Sequence, residues 1–279
     1  MGRPDSLGGV PEPAIRLVAT DLDGTLLHPD GTVTARTRAA LAAAEDRGIT
    51  VVFVTGRPVR WMRDLWQHVG DHGLAICSNG GIVYDVAALA VRSARPIPAG
   101  VGLSVADLLR DGIPGTTLAV ERTTGFAKEP AFMERYALPD DVSVVPVADL
   151  FDAHTVKVLA RHEDLEPEKF WAATEELVGH LVTTTWSSLG ALVEISAAGV
   201  TKASTLALLC DELGIGADEV VAFGDMPNDL AMLEWAGTSY AMANAHPTVL
   251  ELADRTAPAN ADDGVARVLE TLIRPGSAG

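Results

Sequence analysis

The chain has 279 residues, 48% of them hydrophobic and 21% charged, and a formal net charge of −17. This length suits one large domain or two unequal ones, and the balanced composition excludes wholesale disorder. The acidic surplus excludes a nucleic-acid binder, because no excess of cations is available to neutralise phosphates.

Residues 1–13 are polar and rich in Gly and Pro, with no apolar stretch. They read as a flexible segment, neither a secretory signal nor an anchor, and a cytoplasmic location is expected. No apolar run approaches the ~20 residues of a membrane span, so no membrane partner is expected. Residues 15–20 are the first strand candidate. A helix over 34–47 follows, with Thr34 as its cap and Gly48 as its stop. Residues 49–54 form a strand rich in β-branched side chains. Pro58 stands where a first helical position belongs, which predicts a helix over 59–69 ending at Gly70. Residues 74–77 are a third strand. Apolar strands alternating with helices imply a parallel sheet covered on both faces.

From residue 86 to 196 the texture changes. Partly alternating strands at 116–121, 155–161, 180–186 and 191–195 surround helices at 101–110 and 166–178. That pattern predicts an antiparallel sheet with helices on one face. The first grammar then returns, with a helix at 202–213, a strand at 219–223, a helix at 228–234, a strand at 239–241 and helices at 247–252 and 263–272. The expected fold is α/β: a doubly wound, Rossmann-like parallel-sheet core from 14–85 and 197–273, an inserted α+β domain from 86–196, and a flexible tail at 274–279. Cys77 and Cys210 sit in apolar runs and read as buried thiols in a reducing compartment.

Open parallel sheets bind ligands at the carboxyl ends of their strands. Just past those ends lie Asp21-Leu22-Asp23-Gly24-Thr25, Thr55-Gly56-Arg57 and Gly224-Asp225-Met226-Pro227-Asn228-Asp229, while Lys202 opens the helix feeding the last strand. A carboxylate attacking phosphorus splits hydrolysis into two steps, and Asp21, first off its strand, is the natural nucleophile. A carboxylate repels an anionic phosphate, an obstacle that a hard cation such as Mg²⁺ removes. Asp21, Asp225 and the backbone carbonyl of Asp23 are its candidate ligands, the last turned inward by Gly24. Lys202, the Thr55 hydroxyl and the Gly56 N–H are candidate contacts for phosphoryl oxygens. Asp23 would protonate the leaving alcohol and then deprotonate the attacking water. Neighbouring carboxylates raise its pKa while the metal and Lys202 lower it.

With these four motifs in order, the sequence resembles the haloacid dehalogenase (HAD) superfamily phosphatases, specifically the Cof-type branch with a type IIB cap. Asn79-Gly80 and Ala241-Met242-Ala243-Asn244-Ala245 also look like that branch, and the resemblance runs from about residue 15 to 272. It departs at Ala203, where many relatives carry Gly, and at Gly81, where they often carry Ala. The resemblance implies a Mg²⁺-dependent phosphatase with the roles above on Asp21, Asp23, Thr55, Lys202 and Asp225. It also places Asn228 in the phosphate shell and Asp229 in a supporting role, and it makes 86–196 the cap. The expected substrate is a small phosphorylated metabolite, sugar phosphates being the favoured class, and the expected assembly is a monomer or small homo-oligomer. A phosphomutase and a catalytically silent phosphate-binding protein are the alternatives on this fold. A signalling receiver domain is shorter and lacks a second acid two residues after its nucleophile.

Outside the motifs, Arg57 reads as structural, pairing with an acid. Arg122, Lys128, Lys157 and Arg161 read as solvated charges, the tryptophans as packing residues, and His68 and His72 as surface residues.

Overall fold

The computed structural model describes residues 14–68, 73–135, 142–186 and 190–273. The expected flexible segments 1–13 and 274–279, and His72, lie outside them. The chain enters a first sheet with β1 (Leu17–Thr20), β2 (Thr50–Val54), β3 (Leu74–Cys77), β4 (Ile82–Asp85) and β5 (Ala90–Ala94). It crosses to a second sheet with β6 (Thr117–Arg122), β7 (Gly125–Lys128), β8 (Ser143–Val144), β9 (Thr155–Arg161), β10 (Val182–Thr185) and β11 (Leu192–Ala197). It returns to the first with β12 (Val220–Gly224), β13 (Thr238–Met242) and β14 (Arg255–Ala257). The helices are α1 (Ala35–Glu45), α2 (Ala99–Gly112), α3 (Pro167–Val178), α4 (Lys202–Leu213), α5 (Leu230–Trp235), α6 (Pro247–Leu252) and α7 (Gly264–Leu272).

The first sheet has the order β14-β13-β12-β1-β2-β3-β4-β5. From β14 to β3 neighbouring strands are parallel. Every residue of β1, β2 and β12 is buried, so both faces of the sheet centre are covered, as their uninterrupted apolar sequences require. The chain builds outward from β1 through β2 and β3, and later from β12 through β13 and β14 to the opposite edge. Strand order therefore reverses between β1 and β12, and the crevice beyond their carboxyl ends is where such sheets bind ligands.

The second sheet has the order β10-β11-β9-β6-β7-β8 and is antiparallel except for the β7–β8 pair. Its strands alternate. Val158, Ala160, Val193 and Ile195 share one apolar cluster with residues of α2 and α3. The intervening Lys157 and Glu194 therefore lie on the opposite face.

Two expectations need correction. The described part of the expected helix, residues 59–68, is not α-helical; the chain makes short 3₁₀ turns at Val59–Trp61 and Trp66–His68, and Pro58 is extended at φ −71 and ψ 157. The buried Met62 and Leu65, with Val59 packed against the core, recur every third residue, which suits three residues per turn. Trp61 is exposed, with the Arg60 guanidinium 4.7 Å over its ring. Secondly, β4 and β5 extend the first sheet antiparallel, as far as Ala94. The chain thus leaves this sheet later than residue 86. All five residues of β5 are exposed, so no apolar pattern marked it. Both cysteines are buried free thiols, and burial pushes the Cys77 thiol up to about 12.

Helix α4 starts in a reciprocal cap, with Thr201 Oγ1 accepting from the Ser204 N–H and Ser204 Oγ accepting from the Thr201 N–H, both at 3.0 Å. This cap fixes Lys202 as the first helical residue. Thr201→Ala is expected to cost about 1 kcal/mol. Urea unfolding checks this as a lower midpoint at unchanged slope; an unchanged midpoint would show that the cap contributes nothing.

Candidate active site

Parallel pairing sets β1 beside β12, with Thr20 opposite Phe223, so the residues leaving both strands emerge together. The Asp21 N–H donates to the Phe223 carbonyl at 3.0 Å. Lys202 reaches this point from α4. Its Nζ donates to Asp21 Oδ1 at 2.7 Å and to Asp229 Oδ1 at 2.6 Å. Lys202 is 1% exposed and Asp229 is 0% exposed. The other Asp229 oxygen accepts the N–H groups of Asp225 and Met226, at 3.0 and 3.1 Å, tying the loop after β12 into a tight turn. Asp225 Oδ1 accepts from Thr25 Oγ1 at 2.8 Å. Gly24 makes this approach feasible, since a Cβ there would lie 2.2 Å from Asp225 Oδ2, and its φ is +75. Carboxylate oxygens of Asp21, Asp225 and Asp229 all lie within 4.8 Å of one another.

Asp23 stands apart from that cluster. Its carboxylate is forked by the Arg57 guanidinium, Nε to Oδ2 at 2.7 Å and Nη2 to Oδ1 at 2.6 Å, and its side chain is 61% exposed. In this arrangement the Asp23 carboxylate does not join the cluster of Asp21, Asp225 and Asp229. Arg57 does pair with an acid, but that acid is the one read as proton donor.

Thr55 is buried after β2, and its Oγ1 accepts the Arg57 N–H at 3.0 Å. The Thr55 carbonyl accepts the Asn79 N–H at 3.1 Å. Asn228 Nδ2 donates to Asn79 Oδ1 at 3.2 Å, while Asn228 Oδ1 is buried with no hydrogen-bond partner in the described structure. The structure thus gathers Asp21, Lys202, Asp225 and Asp229 into one group, links Thr55 and Asn228 through Asn79, and sets Gly56 against the Asn79 side chain.

Several residues at this edge were not selected as site residues from sequence. Asn79 carried a signal only as part of Asn79-Gly80 after a core strand. Asn244 Nδ2 donates to the Gly24 carbonyl at 2.8 Å, holding the first motif from below. Lys157 and Arg161 are not solvated charges: both are buried, and Arg161 lies 5.4 Å over the Phe132 ring. Arg122 and Lys128 are also engaged, donating to the carbonyls of Leu150 and Phe132 at 2.7 Å. His68 is partly buried.

Burial holds Asp21 well above the usual carboxylate range; Lys202 opposes the rise, and Asp229 and Asp225 add to it. Burial and the Asp229 charge raise Asp225 to about 7, against the Thr25 hydrogen bond and Lys202. Burial alone would lower Lys202, but Asp21 and Asp229 outweigh it and push its pKa up, so it remains charged. Folded Asp225 therefore keeps its proton in the window from 3.8 to about 7, where the unfolded chain has lost it. The folded state binds more protons there, so this group's contribution to stability falls as pH rises through the window. Thermal melts in a chelator at pH 5 and pH 8 check this: Asp225→Asn is expected to flatten the decline seen in the parent. Equal slopes for parent and variant would contradict it.

A sequence model of the haloacid dehalogenase-like hydrolase family matches residues 18–269. Pyridoxal phosphate phosphatase YbhA of Escherichia coli (strain K12) is 31% identical, over 91% of this chain and 97% of its own. The 5-amino-6-(5-phospho-D-ribitylamino)uracil phosphatase YcsE of Bacillus subtilis (strain 168) is 29% identical, over 93% of this chain and 96% of its own. Among solved structures, the HAD phosphatase BT1666 from Bacteroides thetaiotaomicron shares the fold with a TM-score of 0.78 at 24% identity, over 96% of this chain and 99% of that one. No described helix is long and apolar enough to cross a membrane. A family match spanning both sheets, joined to this identity over nearly the full length of a named phosphatase, shows that the chain belongs to the haloacid dehalogenase-like hydrolases, among their phosphatases.

Proposed function

We propose that this chain hydrolyses a small-metabolite phosphomonoester, with sugar phosphates the favoured class, through an aspartyl phosphate on Asp21 and with Mg²⁺ as its cofactor. The observation that carries the reading is Lys202, bonded to both Asp21 and Asp229 beside Asp225. A buried ammonium shared by carboxylates orients one of them and leaves the cluster short of positive charge. The donor set is all oxygen, which suits a hard divalent cation. Asp21, Asp225 and the Asp23 carbonyl would hold it, while Asp229 supports the shell with both its oxygens already engaged. When bound, Mg²⁺ supplies charge that screens the incoming phosphoryl group from the carboxylates.

Asp21 attacks phosphorus in line with the leaving oxygen. The bond from phosphorus to the alcohol breaks as Asp23 gives that oxygen its proton. Asp23 then takes a proton from water, the hydroxide attacks phosphorus, and the Asp21 carboxylate leaves. Lys202 stays charged throughout and, with the Thr55 hydroxyl, the Gly56 N–H and Asn228, stabilises the transferring group. Asp23 must exchange its Arg57 fork for the leaving oxygen, and its exposure gives it room to do so. The six-stranded unit acts as the cap that shields the first step from water. YbhA is named for pyridoxal phosphate and YcsE for a phosphoribityl compound, two small phosphomonoesters, the second derived from a sugar.

The test is release of inorganic phosphate from a panel of phosphomonoesters, with Mg²⁺ and with a chelator. Turnover is expected with metal only, and Asp21→Asn is expected to lower it by about a thousandfold or more. Isomerised sugar phosphate without free phosphate would overturn hydrolysis in favour of a mutase.

A further inference from the structure

Lys157 and Glu194 form an ion pair on the face of the second sheet opposite its helices, and the Lys157 side chain is 2% exposed. Burying such a pair is weak evidence for stability, because desolvation offsets the attraction. What the pair touches is more informative. Lys157 Nζ also donates to the Gly56 carbonyl at 2.7 Å. The second Glu194 oxygen accepts from Asn79 Nδ2 at 2.9 Å. A carboxylate only accepts hydrogen bonds, so this contact fixes which end of the Asn79 amide faces it. Asn79 Nδ2 donates its other hydrogen to Thr185 Oγ1 at 3.1 Å, and Oδ1 accepts from Asn228.

Asn79 is therefore fully engaged, and the backbone confirms how tightly. Ser78 and Asn79 have φ of +53 and +54, a left-handed pair that side chains disfavour. The Gly56–Arg57 peptide is gripped at both ends, its carbonyl by Lys157 and its N–H by Thr55 Oγ1. Since the Thr55 oxygen accepts that N–H, its own hydroxyl proton is left for another acceptor. Position 56 is close-packed against the same amide: a Cβ there would lie 3.0 Å from Asn79 Oδ1, so a side chain would press on Asn79.

We infer that Asn79 is a positioning residue: held by Glu194 and Thr185 of the cap, while Lys157 of the cap grips the Gly56 carbonyl, it sets Thr55, Gly56 and Asn228 for phosphate, so that the phosphate cradle is complete only while the cap is seated. The inference rests on the phosphatase reading above. It assigns to the ion pair a task that neither charge balance nor packing requires.

Two variants separate positioning from folding. Asn79→Gly deletes the amide at a backbone conformation glycine favours. Lys157→Met combined with Glu194→Leu replaces the whole ion pair by apolar groups, a change that buried pairs tolerate. Four quantities are measured for each: the melting temperature, kcat and KM for p-nitrophenyl phosphate, and the affinity for inorganic phosphate by calorimetry with Mg²⁺ present. Asn79→Gly is expected to melt near the parent and the double variant somewhat below it, because it also leaves the Gly56 carbonyl and the Asn79 amide without these partners; both are expected to remain folded and to lose about a hundredfold in kcat. Their phosphate affinity is expected to fall about tenfold. A purely structural role would lower the melting temperature and leave the affinity of folded molecules unchanged, which would overturn the inference. Parental kcat and phosphate affinity in Asn79→Gly would overturn it as well. A parent that neither turns over phosphomonoesters nor binds phosphate would overturn the phosphatase reading first, and this inference with it.

Discussion

Three buried carboxylates gather around one ammonium group, and that imbalance governs the edge of the first sheet. Lys202 satisfies Asp21 and Asp229 directly, while the Asp225 carboxylate accepts a hydroxyl from Thr25. Taking charge out of water is costly unless it is paired, so every neighbouring feature serves to hold this arrangement together. The cap of α4 starts the helix at Lys202. Gly24 gives Asp225 its space, and Asp229 binds the turn that carries Asp225. The raised Asp21 and Asp225 express the same shortage of positive charge.

Much of this was legible in the sequence because it depends on strand ends. Continuous apolar runs marked β1, β2, β3 and β12, and the parallel-sheet rule placed reactive residues just beyond them. Lys202 stood out because a cation at a helix start opposes the helix dipole unless an anion is near. Other features lacked a local signal. Lys157 resembled any strand lysine, because burial of its face depends on a second unit covering it. The partners of Asn79 come from β10, β11 and the loop after β12, far along the chain. Nothing in the order of residues showed that Arg57 would fork Asp23. At 59–68, Pro58 and an apolar spacing of three imitate the start of a helix, which is why these turns read as one in the sequence.

The two units meet through polar contacts near the site. Besides the Lys157 and Asn79 contacts, Arg60 forks Glu121 at 3.1 and 2.7 Å and lies 4.7 Å over the Phe126 ring. Such a boundary is closer in character to an interface between domains than to a core. Polar groups that can exchange partners with water let two units part at less cost than apolar surfaces do. Each unit has its own main apolar cluster, and Val156 of β9 is a second-sheet residue that packs into the first.

The position of β1 has a consequence for how the protein is made. One edge pairs with β2, where Leu17 meets Thr50; the other waits for β12, where Leu17 meets Val220. A chain leaving the ribosome completes the whole second sheet before β12 exists. During that interval β1 presents an open, apolar edge, the kind of surface that invites mispairing and calls for a chaperone. Asp21 emerges early but meets Lys202 and Asp225 only near the end of synthesis. A nascent fragment therefore holds Asp21 without its partners, and the carboxylate cluster is complete only when the sheet closes.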